Sequence, residues 1–142
     1  MATLNPFYKP IPRWTRIAGF GCLILLLTAC AAPGPRLGGL WEIQEEDKSY
    51  EATLDDQGNG TYTWKNGRIQ TTQFADGKWQ GTWHQTGNDR EGEFELLLSE
   101  DGQQAEGVWW YTRVGENDNI PAQEFGGDYL WIRLPSKSAE KE

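Results

Sequence analysis

Between Gly38 and Leu134 the chain alternates apolar and polar side chains in short runs, and nowhere repeats apolar positions at helical spacing. In Ser49–Asp55, Tyr50, Ala52 and Leu54 share one face against Ser49, Glu51 and Thr53. In Lys78–Gln85, Trp79, Gly81 and Trp83 oppose Lys78, Gln80, Thr82 and His84. Successive side chains on a strand point to opposite faces, so each run predicts a strand with one side in a core. The same pattern marks Gly38–Glu46, Arg68–Phe74, Gly92–Ser99, Gln104–Arg113 and Gly127–Leu134. It also marks Gly60–Lys65, where Tyr62 and Trp64 fall on one face opposite Thr61 and Thr63.

Turn chemistry separates the runs. Gln57-Gly58-Asn59, Asp76-Gly77, Thr86–Asp89 and Asp101-Gly102 supply residues that tolerate tight reversal. Asn66-Gly67 predicts a two-residue hairpin turn whose central residues both need positive φ. Val114–Phe125 is the longest connection, polar and containing Pro121, and is the expected rim of any pocket. The prediction is an all-β domain, a single antiparallel meander of about eight strands. Closure into an up-and-down barrel is the cheapest way to remove exposed edges, and a two-sheet sandwich is the alternative.

A loose repeat accompanies the strands. Gly39-Leu-Trp41, Gly77-Lys-Trp79, Gly81-Thr-Trp83 and Gly107-Val-Trp109 share Gly-x-Trp, which puts a small and a large residue on the same strand face. With the Asp-Gly and Asn-Gly turns, these strands resemble small avidin-like and lipocalin-like barrels. The resemblance is architectural and spans roughly Gly38–Leu134, and no ligand-binding residues of either family map onto positions here.

The first thirty residues follow another pattern. Lys9, Arg13 and Arg16 precede an apolar run of 11 residues, Ile17–Leu27, and no acidic residue occurs before Glu42. A basic segment, an apolar run of about 7–15 residues and a small-residue cleavage site make a secretory signal, whereas a membrane span needs about 20 apolar residues. Leu27-Thr28-Ala29-Cys30 resembles the bacterial lipobox. That resemblance implies diacylglycerol on the Cys30 thiol, cleavage just before it and acylation of the new N-terminus. Ala31 in place of Asp implies sorting to the outer membrane. The expected organisation is a signal peptide over 1–29, a lipidated Cys30 with a Pro- and Gly-rich tether to Gly39, a β-barrel over 40–134 and a frayed tail over 135–142.

Charge and inventory narrow the function. Beyond residue 29 remain 113 residues with 10 Lys and Arg against 21 Asp and Glu, a net charge of −11. Nucleic acid calls for a basic footprint, so it is not an expected partner. The expected attachments are the membrane through the N-terminal lipid, and either a small apolar or sugar-like ligand or an envelope protein. No cofactor is expected. Of the two Cys, Cys22 leaves with the signal and Cys30 is acylated, which leaves no thiol nucleophile. His84 is the only histidine and alternates outward. There is no Gly-x-Ser-x-Gly and no phosphate loop, so the protein reads as a non-enzyme. The alternatives are a purely structural envelope protein and a carboxylate-based hydrolase, although Glu93 and Glu95 alternate away from Phe94, Leu96 and Leu98. Asp55, Asp56 and Asn59, and Asn117, Asp118 and Asn119, match no calcium-loop spacing and suit turns instead.

Seven of the eight Trp lie beyond Cys30. Either they fill a small barrel, or some of them form a stacking platform for a ligand. The candidate contact residues are Trp83, Trp109, Trp110, Tyr111 and Trp131. Three consecutive aromatic residues cannot all face inward, so with Trp109 and Tyr111 inside, Trp110 is expected on the outer face as an exposed partner contact.

Overall fold

The computed structural model describes residues 36–137. Eight antiparallel strands follow in chain order: β1 (Gly39–Gln44), β2 (Ser49–Leu54), β3 (Gly60–Tyr62), β4 (Gly67–Ala75), β5 (Lys78–Gln85), β6 (Arg90–Leu98), β7 (Gln104–Val114) and β8 (Gly126–Leu134). Each pairs with its sequence neighbour, and β8 returns to β1 with Leu40 opposite Leu134 and Gln44 opposite Leu130. The meander therefore closes into a barrel and is not a sandwich. A 3-10 turn, Trp64–Asn66, is the remaining regular element between named strands.

The turns behave largely as their chemistry dictates. Asp76 and Gly77 take φ 53° and 79° and join β4 to β5 with Ala75 opposite Lys78. The β3–β4 connection departs from the expected Asn66-Gly67 turn. The left-handed pair is Lys65-Asn66, at φ 51° and 53°, while Gly67 is extended at φ −76° and ψ 153°. β3 consequently stops at Tyr62, and Trp64 leaves the inner face. The glycine serves a steric need: a Cβ on Gly67 would lie 1.9 Å from the Tyr62 ring.

Alternation sorts the side chains as predicted. Trp41, Ile43, Tyr50, Ala52, Leu54, Trp79, Trp83, Phe94, Leu96, Tyr129 and Trp131 are buried in one core. The small member of Gly-x-Trp makes room for a neighbouring strand's ring, since a Cβ on Gly81 would lie 2.5 Å from Phe94.

The two ends of the barrel differ. At the end where β1 begins, Trp41, Trp79 and Trp131 are wholly buried, with ring centres 5.7, 5.0 and 6.3 Å apart, and Phe94 packs 5.4 Å from Trp131. Leu37 is buried beneath them and its carbonyl accepts the Trp41 indole N–H at 2.9 Å. The Arg133 guanidinium lies 4.2 Å over the Trp41 ring and donates to the carbonyls of Arg36, Gly38 and, at 2.9 Å, Gly102. This end is closed. Gly39 begins β1, inside the strand expected over Gly38–Glu46, whereas Leu37, expected in a spacer without a fold of its own, is buried in the core. Cys30, the lipobox and the rest of the tether lie outside the described residues, as do residues 138–142 of the tail.

Candidate functional site

The opposite end carries the connections 45–48, 63–66, 86–89 and 115–125, so the long polar connection expected at a rim does lie at the mouth. The inner wall there is aromatic and polar. One row of register partners runs Tyr62, Gly67, Gln85, Arg90 across four strands, all on the inner face. Because Gly67 has no side chain, the Tyr62 ring leans over it toward β5. The hydroxyl comes near the Gln85 amide, makes no hydrogen bond of acceptable geometry, and is buried. Tyr62 itself is 4% exposed.

Arg90 follows on β6. Its Nη1 donates to the Tyr111 hydroxyl at 3.1 Å and its guanidinium lies 5.6 Å from the centre of the Tyr111 ring. The ion pairs among the described residues belong to Lys48, Lys78 and Arg113, and none involves Arg90. Below it, Trp83, Trp109 and Tyr111 meet edge to face, with ring centres 5.8, 5.4 and 5.1 Å apart. The Trp109 indole N–H is buried without a partner.

The far side of the mouth is satisfied internally. Tyr50 donates to Glu45 at 2.6 Å and lies 3.4 Å from the Tyr129 hydroxyl. Glu45 also holds Lys48 at 2.8 Å. Burial, above all other causes, raises the Tyr50, Tyr62 and Tyr129 phenols well above their ordinary range, so all three stay neutral. Beside Trp109, Tyr129, Glu45 and Lys48 opens a groove of about 1250 Å³ that continues over the outer wall to Leu97 and Gln104.

Of the residues singled out in sequence, Trp83, Trp109 and Tyr111 come together at this mouth. Trp131 does not, because it belongs to the plug of the closed end. Trp110 lies on the outer face as alternation requires, but it is 7% exposed and its Nε1 donates to Glu93 at 3.1 Å. The expected exposed contact is corrected: a cross-strand carboxylate and its surroundings cover the ring. Trp64 takes the exposed position instead. It is 39% exposed, stacks 6.4 Å from Tyr50, and has the Lys65 and Lys48 ammonium groups 5.3 and 5.7 Å from its ring centre.

No match emerges from comparison with family models, curated proteins or solved structures. The closed eight-stranded meander is compatible with the architecture of small lipocalin-like and avidin-like barrels. Function has to be read from the side chains.

The acidic candidates are engaged elsewhere. Glu95 holds Lys78 at 2.9 Å and Gln80 at 2.8 Å on the outer wall, and the Lys78 bond, then that of Gln80, lowers its pKa. Asp55 accepts the backbone N–H groups of Gln57 and Asn59, and Asn117 that of Asn119, as turn residues do. His84 sits in the outward row between Arg68 and Glu91. Sequence reasoning passed over Tyr62, Gln85 and Arg90. The available signal was parity, since Gln85 continues the Trp79–Trp83 face and Arg90 opposes it.

Proposed function

We propose that this protein is a non-enzymatic envelope lipoprotein, anchored to the outer membrane through a lipid on Cys30, whose barrel binds a small ligand at its open mouth. The observation that carries the ligand reading is the asymmetry of the barrel. One end is a plug of Trp41, Trp79 and Trp131, in which the Trp131 N–H is itself unpaired, while the other sets the unpaired Trp109 N–H and the Tyr62 hydroxyl beside the half-buried Tyr111 ring and a charged group, Arg90. Buried polar groups are nearly always paired, and an unpaired one costs about 1–3 kcal/mol, so a ligand that pairs them gains that much selectivity. Ligand sites have this composition: largely aromatic and apolar, with a few convergent polar groups. The covered Trp110 removes the specific contact that favoured a protein partner.

The two halves of the proposal have separate tests. Cys30→Ala abolishes acyl incorporation and releases the protein from the membrane fraction; a variant still acylated and membrane-bound refutes the anchor. Native mass spectrometry of the purified chain detects a retained small molecule, and mouth ligands change Trp fluorescence. A bare protein mass, together with no fluorescence response to a panel of envelope metabolites, refutes the ligand reading.

A further inference from the structure

We infer that the ligand carries a carboxylate, received by Arg90 together with the Tyr62 hydroxyl, while its apolar body lies on Tyr111 and Trp109. The inference rests on the ligand reading above and specifies its chemistry. Three features of the mouth lead to it.

First, Arg90 is half-buried on the inner wall and has no carboxylate partner among the described residues. Its one hydrogen bond, to the Tyr111 hydroxyl, uses a single N–H of the five that a guanidinium offers, and fixes the group at the rim. A planar donor fork of this kind matches a carboxylate in two parallel hydrogen bonds. Second, the Tyr62 hydroxyl stands in the same register row, carried past Gly67 to the amide of the Gln85 that pairs with Arg90, without a well-formed hydrogen bond to it. Its neutral O–H supplies a third donor from the neighbouring wall. Third, the nearest large surfaces are rings. Tyr111 and Trp109 are half-buried and in contact, so a group held on Arg90 projects its body onto them, while Trp83 is buried behind.

Glu45 is the acid whose charge is felt at the Tyr62 hydroxyl, where it raises the phenol pKa after the larger effect of burial. Salt screens charges beyond about 8 Å, so the distant acids act weakly while Arg90 acts at contact. Glu45, the half-buried acid across the mouth, is held by Lys48 and Tyr50. Arg113 is different from Arg90, being occupied by Asp89 and Glu91 outside the inner row.

The test compares matched probes on the full chain: phenylacetate against phenylacetamide, and octanoate against octanamide, by calorimetry and Trp fluorescence. Each acid binds about tenfold or more tightly than its amide. Arg90→Gln abolishes that preference and Arg90→Lys retains part of it, with thermal melts showing that both variants fold. Tyr62→Phe, which keeps the ring and removes the hydroxyl, weakens the acid several-fold and the amide less. Equal binding of acid and amide, or a preference that survives Arg90→Gln, overturns the carboxylate assignment and leaves the ligand reading intact. Should neither probe bind, a co-purified ligand identified by mass decides: an acid supports the inference and a molecule without one overturns it. Absence of any bound molecule as well overturns both.

Discussion

Replacing Gly67 by Ala tests why the β3–β4 connection has the form it has. A Cβ there would fall 1.9 Å from Cε2 and Cζ of Tyr62. Carbon atoms in contact sit at roughly 3.5–4.0 Å, so the ring has to retreat by about 1.5–2 Å. It cannot retreat freely, because Tyr50 packs against it with ring centres 5.2 Å apart. Overpacking of this kind costs about 1–3 kcal/mol. The backbone offsets part of it: φ −76° and ψ 153° suit alanine, and losing glycine's freedom in the unfolded chain returns about 0.4–1 kcal/mol. The expected net loss is about 1–2 kcal/mol, or roughly 4–15 °C in Tm for a domain of this size. Urea unfolding followed by Trp fluorescence measures it, in a double-mutant cycle with Tyr62→Ala. With the ring removed, Gly67→Ala becomes neutral or stabilising, giving a coupling of about 1–3 kcal/mol. A coupling below about 0.5 kcal/mol would refute the steric account and return the cost to the backbone.

Three further outcomes follow from the same contacts. The Tyr50, Tyr62 and Tyr129 pKa values are raised in the folded state, chiefly by burial. Their stabilising effect is whole below the unfolded value near 10 and declines as pH rises above it, by up to about 4 kcal/mol per pH unit for three phenols; urea melts at pH 9 and 11 that superimpose would contradict it. Arg133→Met keeps the stem over Trp41 but removes the bonds to Arg36, Gly38 and Gly102, an expected loss of about 2–4 kcal/mol with faster amide exchange at residues 36–38; a change under about 0.5 kcal/mol counts against the clamp. Trp64→Ala costs at most about 1 kcal/mol because the ring is largely at the surface, yet it removes the emission most quenched by acrylamide, and unchanged quenching would place that emission on another Trp.

Much of the fold was legible because its signals are local. Period-two alternation put Tyr50, Ala52 and Leu54, and again Trp79 and Trp83, on the buried face, and Asp76-Gly77 announced its own turn. What escaped depends on partners distant in sequence. Gly67 looked like a turn glycine because nothing local reveals that Tyr62 lies over it. Trp110 was rightly turned outward, but facing outward is not being exposed when Glu93 on the next strand takes its N–H. The mouth was the least legible part. Tyr62, Gln85 and Arg90 are common surface residue types, and only the register of four strands aligns them. Leu37 reads as spacer because Pro35, Gly38 and Gly39 surround it in sequence, while the apolar contact that orders it comes from the folded barrel.

The clamp of Arg133 has a mechanical consequence. The described chain enters and leaves at the closed end, and one guanidinium stitches the entering segment to the last strand. A pull on the amino-terminal segment therefore reaches β8 as well as β1, and is shared across the seam that closes the barrel. Tension between that segment and anything gripped at the mouth has its larger component along the strands, which in a closed barrel tilt by about 35–45° from the axis. It loads the ladders on both sides of β1 in shear, many hydrogen bonds together, instead of peeling them one at a time. The Tyr62–Arg90 row stands at the other end of those strands, so the barrel can be tugged by its tail without first disturbing its mouth.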